Sequence, residues 1–352
     1  MNYKPRLDGL RCIAILMVLL GHFLYFIAGT SSGIYGVNLF FVLSGFLITS
    51  ILLNQKAKSI LGAYKNFIGR RALRIFPIFY LIITFYLLIN SGDINADWPY
   101  LYSYTYNFFV SGIQDWEHNV YAPYWSLSVE EQFYIFFPFV ILGLNKKPKW
   151  QLAVLTLILT ISLTERMLKL TGVHHYVNLV TNMWPLTIGA VAAWFAHHNK
   201  LNSRFFSSTW VEVLMFLSLC VVLRYGELLI GFIMFPLVNV YMVIKAYAFN
   251  FVVKPIDKLL QHRWIIFVGK ISYGVYLYHI LVLHFFNDYV FIPVWSKIPF
   301  DSMRYFSKIQ FNATLIRFPF VIFITIFIAY LSFRFIESPI LKLKDKYFLN
   351  GK

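Results

Sequence analysis

The chain has 352 residues, of which 59% are hydrophobic, 20% aromatic and only 13% charged, with a mean hydropathy of +0.65. That composition excludes a soluble globular domain and describes a polytopic membrane protein. A formal net charge of +16 would suggest nucleic acid in a soluble chain, but here topology and anionic lipid account for it, so the lipid bilayer is the expected partner and nucleic acid is not.

Runs long enough to cross a bilayer, roughly 17–25 residues each, fall at about 11–28, 34–53, 74–91, 126–144, 150–168, 178–196, 210–225, 228–247, 265–286 and 315–336. They predict an all-α membrane protein of about ten transmembrane helices, with residues 1–352 forming one integral-membrane domain. The first run lacks a small-residue cleavage site and is followed almost at once by a second, so it is expected to stay in the mature protein. The fifth run ends in Thr164, Glu165 and Arg166, and Arg224 to Glu227 barely make a turn between the seventh and eighth. A cytoplasmic N-terminus puts 24 of the 31 basic residues inside, and Asp93, Asp97, Asp115 and Glu117 then share an outer loop. Both signals predict cytoplasmic termini. The longest stretches outside the membrane are 92–125 and 287–314 on the outer side and 54–73 on the inner side.

Polar groups inside these runs carry the functional signal, because an ionisable side chain at membrane depth is costly and needs a partner. In RLDGLRCIAILMVLLGH, Arg11 and His22 are separated by ten residues, which is roughly 16 Å along a helix, and Asp8 stands beside Arg11. A neutral imidazole there can take a proton from a hydroxyl; the alternative is a histidine that only hydrogen-bonds within the bundle. Cys12, in the same run, and Cys220 have no paired spacing and no Cys/His cluster around them, which supports neither a disulfide nor a metal site.

GVNLFFVLSGFLI, residues 36–48, offers Gly36, Ser44 and Gly45 as small surfaces for a neighbouring helix. Asn38 enters the membrane beside them and is read as a supporting group, not a catalytic one. RRALRIFP, residues 70–77, sets Arg71 and Arg74 three apart on one helical face behind Arg70. Guanidinium forks match phosphate oxygens, though basic residues also anchor helix ends at an inner boundary. YWSLSVEEQFYIFFP, residues 124–138, carries Glu130 and Glu131, which cannot share one helical face; Ser126, Glu130 and Tyr134 line up at four-residue intervals, with Ser128 and Glu131 on neighbouring faces. In ISYGVYLYH, residues 271–279, Ser272, Tyr276 and His279 share a broad face, and FIESP, residues 335–339, puts Glu337 beside Arg334 as a structural pair.

Read in this order along nearly the whole chain, LDGLR, the Arg11–His22 spacing and the later strings resemble acyltransferase family 3, the integral-membrane O-acyltransferases. Asn38 departs from the Asp frequent in that family, and Cys12 from a small residue. The resemblance implies ten membrane helices in a bacterial inner (cytoplasmic) membrane. It also implies a cytoplasmic acyl-CoA donor, usually acetyl-CoA, as co-substrate, and a hydroxyl acceptor on a lipid-linked or surface glycan such as an O-antigen or exopolysaccharide. No metal is expected. The chain ends at Lys352 without room for an SGNH-type esterase domain, so it is expected to work alone or with a separate acyl-handling partner.

The mechanism expected from both lines places His22 as general base. Arg71 and Arg74 hold the donor phosphates with Arg11 and Arg70 near the same mouth, Asp8 orients Arg11, and Glu131 or Glu130 positions the acceptor or relays its proton. Two rival readings stand beside it: a transporter or flippase of a lipid-linked sugar, in which the same charges line a path, and an inactive scaffolding relative.

Overall fold

The computed structural model describes residues 3–23, 32–55, 59–89, 94–112, 120–168, 175–225, 229–295, 297 and 309–348. Every regular element among them is helical. In chain order the helices are α1 (Pro5–Phe23), α2 (Ser32–Leu53), α3 (Ile60–Leu88), α4 (Ile94–Tyr102), α5 (Tyr106–Gly112), α6 (Trp125–Gly143), α7 (Pro148–Leu168), α8 (Leu179–His197), α9 (Ser203–Ser207), α10 (Thr209–Tyr225) and α11 (Leu229–Ala248). They are followed by α12 (Lys254–Leu260), α13 (Arg263–Lys270), α14 (Ser272–Phe286), α15 (Ile292–Trp295), α16 (Ile309–Ser332) and α17 (Ser338–Tyr347).

Seven helical segments among the described residues are long and apolar enough to cross a membrane. The described parts of three further expected spans are helical but fall outside that group, α1, α6 and α10; residues 24–28 of the first span lie outside the described residues. α1 carries Arg6, Asp8 and Arg11, α6 carries Glu130, Glu131 and Gln132, and α10 is only 17 residues long. Two of the three are therefore less apolar because they bear the polar groups of the candidate site.

Local chemistry moves several boundaries. The inner stretch expected at 54–73 is mostly helix, because the Ser59 side chain accepts from the Gly62 N–H at 3.0 Å and starts α3 at Ile60. The resulting 29-residue helix is about 44 Å long. The expected span 265–286 is instead two helices, α13 and α14, divided at Ile271. Gly269 lies against the Asp8 backbone, with no room for a β-carbon, so α13 packs across the start of α1 before the chain turns into α14. Part of each outer stretch is helical: α4 and α5 fall within 92–125 and α15 within 287–314. The turn expected at Arg224 to Glu227 includes residues 226 and 227, which lie outside the described residues.

Two close approaches fix how the bundle is assembled. Gly45 of α2 sits against the Leu186 carbonyl of α8, and Gly189 of α8 against the Val42 carbonyl and Phe46 N–H of α2. Any side chain there would push the two backbones apart, so α2 and α8 cross at glycine contact. At one end of the bundle, Gly9 meets the Leu260 backbone, and Arg6 clasps Asp257 of α12 through two N–H···O contacts of 2.7 and 3.1 Å. The start of α1 is thereby held between α12 and α13. Arg334 and Glu337 do not pair as expected: residues Phe333–Glu337 form a π-turn that rotates Glu337 inward to Ser332, while exposed Arg334 donates to the Tyr330 hydroxyl.

Candidate active site

Arg11 stands one turn after Asp8 on α1, and the Asp8 carboxylate accepts from its guanidinium at 3.1 Å and from the Tyr3 hydroxyl at 2.8 Å. This pair orients Arg11 toward a cavity of about 90 Å³ between α1, α2, α3, α6 and α14, room for several waters. Arg11, Arg71 and Arg74 line it together with Ser44, Ser126, Glu130, Tyr273 and Tyr276. Three guanidinium groups facing one carboxylate leave an excess of positive charge that matches the chemistry of an anionic ligand.

The carboxylate is held by its own helix and by α2. Glu130 accepts from the Tyr134 hydroxyl at 2.5 Å, one turn along α6, and from the Ser44 hydroxyl at 3.1 Å. The Arg71 guanidinium lies 4.8 Å above the centre of the Tyr134 ring, a cation–π contact that fixes its plane. Among the described residues neither the Arg71 nor the Arg74 guanidinium makes a hydrogen bond or salt bridge. Their N–H groups remain available to a ligand.

A second cluster adjoins this cavity. The Tyr276 hydroxyl donates to the Pro123 carbonyl at 2.6 Å and lies 2.6 Å from the Ser126 Oγ. The backbone carbonyl of the same Tyr276 accepts from Nδ1 of His279, and Nε2 of His279 lies 3.0 Å from Nδ1 of His22. His279 is fully buried and His22 half-buried. The Tyr124 hydroxyl donates to the Leu277 carbonyl at 2.7 Å, which pins α14 to the start of α6. Tyr276 therefore touches both the arginine cavity and the histidine pair.

Other expected site residues lie elsewhere. Arg70, one residue and about 100° round the helix from Arg71, donates to the Phe348 carbonyl at 2.6 Å and does not line the cavity. Glu131 is buried behind Glu130 and does not itself line the cavity. The Ser128 hydroxyl donates to the Tyr124 carbonyl, just before α6, at 3.5 Å, and Asn38 is buried with its Oδ1 unpaired. Among the described residues no three His, Cys, Asp or Glu side chains are placed to hold a metal ion.

Ser44, which the sequence offered only as a small surface, is a hydrogen-bond partner of Glu130. The ion pair Lys245–Glu212 escaped sequence reasoning altogether: Nζ and Oε2 are 2.7 Å apart and both side chains are completely buried. Its signal was a lysine within an apolar run.

No solved structure matches the chain. Among curated proteins it is 29% identical, over 97% of its length, to "Putative O-acetyltransferase SAS0844" of Staphylococcus aureus strain MSSA476 and to the peptidoglycan O-acetyltransferase OatA of Listeria monocytogenes. It is 27% identical over the same share to the O-acetyltransferase OatA of Staphylococcus aureus strain NCTC 8325. The chain spans 58%, 56% and 58% of those relatives, respectively. The family model described as "Acyltransferase domain" matches residues 4–334, nearly the whole helical bundle with both clusters in it, and the chain belongs to that family.

Proposed function

We propose that the protein is a membrane O-acyltransferase that moves an acyl group, acetyl first among them, from cytoplasmic acyl-CoA to a hydroxyl of a cell-surface glycan. Arg11, Arg71 and Arg74 would hold the donor's phosphates. His22 is the general base on the acceptor hydroxyl, and Glu130, rather than Glu131, is the carboxylate at the donor end. The observation that carries this reading is the joining of the anion cavity to the histidine pair through one residue, Tyr276. A path lined only for transport has no need of a base registered against an arginine cluster. The acceptor class proposed is an O-antigen, an exopolysaccharide or, following the name of the Listeria relative, peptidoglycan. The protein is placed in a bacterial cytoplasmic membrane with both termini inside, where the arginine end of the bundle meets the donor.

The test is the ester content of surface glycans, read by mass spectrometry, in cells lacking the protein and complemented with wild type or His22→Ala. An acetyl mass shift that needs the wild type and vanishes with a normally expressed His22→Ala is the expected result. An unchanged ester pattern with accumulated lipid-linked precursor would refute acyl transfer and favour a transporter.

A further inference from the structure

We propose that His279 is a positioning residue that fixes His22 in the tautomer whose Nε2 is bare and able to take a proton. The inference rests on the acyl-transfer reading above and follows from which atoms can donate. A backbone carbonyl only accepts, so the contact to the Tyr276 carbonyl places the ring proton of neutral His279 on Nδ1. Its Nε2 then carries a lone pair. Because that lone pair lies 3.0 Å from Nδ1 of His22, the His22 proton sits on Nδ1; the Val18 carbonyl, one turn back on α1, is a second acceptor beside the same ring. What remains on His22 is Nε2, unprotonated.

Packing holds this arrangement in place. The His279 side chain has 0% exposure, with the rings of His22, Tyr276 and Phe23 centred 4.9, 5.4 and 6.3 Å away. Turning the imidazole over would put carbon where the Tyr276 carbonyl and His22 now find nitrogen, leaving buried polar groups unpaired. In the serine-hydrolase triad a buried carboxylate orients the histidine. A neutral imidazole does the same directional work here without placing a second charge among apolar helices, where it would be costly.

During transfer the acceptor oxygen bonds the thioester carbon while its proton passes to Nε2 of His22. The carbon–sulfur bond then breaks, the departing thiolate takes that proton, and His22 returns to its starting form. The Nδ1–H of the transient imidazolium points at the His279 lone pair throughout. Tyr276 contributes twice: its carbonyl orients His279, and its hydroxyl, fixed on Pro123, registers that pair against the donor cavity.

The test uses the full chain in lipid nanodiscs with acetyl-CoA as donor, reading thiol release across pH, beside the glycan ester assay in cells. His279→Ala is expected to lower kcat by about 10²–10⁴-fold while leaving KM for acetyl-CoA within about twofold. His279→Gln keeps an oxygen that can accept from Nδ1 of His22, and is expected to stay within about tenfold of wild type. The proposal is overturned if His279→Ala keeps wild-type kcat and pH profile, or if His279→Gln folds, binds acetyl-CoA normally and is as inactive as His279→Ala. Nitrogen NMR of ¹⁵N-histidine wild type reads the tautomer without any turnover. A proton on Nε2 of His22 would sink the inference by itself, whereas the Nδ1–H form in a protein that transfers no acetyl group would sink only the acyl-transfer reading.

Discussion

Replacing Lys245 by Met should be among the most damaging single changes in the bundle, and replacing its partner as well should be less damaging than the two single changes summed. Lys245 lies on α11 and Glu212 on α10, with both side chains at 0% exposure and 2.7 Å between Nζ and Oε2. Lys245 also donates to the Phe206 carbonyl of α9 at 2.8 Å, while Glu212 accepts the Val252 and Val253 N–H groups at 2.9 and 2.8 Å. Lys245→Met leaves the Glu212 carboxylate buried without its counter-charge, a cost of about 3–5 kcal/mol. Glu212→Gln strands the ammonium and costs a similar amount. Lys245→Met/Glu212→Gln removes both charges and leaves one backbone N–H and the Phe206 carbonyl short of a partner, about 2–4 kcal/mol. The cycle should therefore return a coupling of about 2 kcal/mol or more. Thermal melts in detergent, followed by tryptophan fluorescence, should fall by roughly 5–15 °C for each single variant. A double variant whose loss equals the sum of the singles would refute the reasoning, as would Lys245→Met melting like wild type.

Arg74→Ala should raise KM for acetyl-CoA by about tenfold or more, since a guanidinium–phosphate contact is charge-assisted, whereas Arg70→Ala should leave it within about twofold because Arg70 serves the Phe348 carbonyl. Steady-state thiol release separates the two, and equal effects would show that the cavity is not the phosphate site. The side chain of Asp257 is held below the ordinary carboxylate range, first by the Arg6 guanidinium, with the Phe251 N–H adding to it against the opposing effect of burial. A carboxylate shifted this way contributes stability above its unfolded pKa of about 3.9 and loses it as pH falls through the lower folded value. The melting difference between wild type and Asp257→Asn should thus be constant from about pH 5 to 8 and close below about pH 4; a difference that widens toward acid would contradict the pairing.

Some of this was legible because it is local. Arg71 and Arg74 share a face, and Tyr134 reaches Glu130, because positions three and four apart on a helix are neighbours wherever the helix ends up. Asp8 beside Arg11 is the same kind of contact. The apolar runs likewise located the helices, since a backbone in lipid must satisfy its own hydrogen bonds. A run of apolar residues does not, however, show where its helix bends. The division at Ile271 and the π-turn at Phe333–Glu337 both fall inside or beside stretches that read as continuous.

The sequence by itself determined a helical membrane protein, the polar residues that it spends inside its spans, and the pairs that one helix brings together. Tertiary structure decided the rest: that Glu130 and not Glu131 faces the cavity, that Arg70 turns to the far end of the chain, and that His22 meets His279 across 257 positions. The reason is geometric. Adjacent residues on a helix differ by about 100° in direction, so which of two neighbours faces inward depends on how each helix is rotated against the next. That rotation is set where backbones touch, at Gly45 with Leu186, Gly189 with Val42 and Gly269 with Asp8, and no periodicity along a single segment records which helix will supply the other side of the contact.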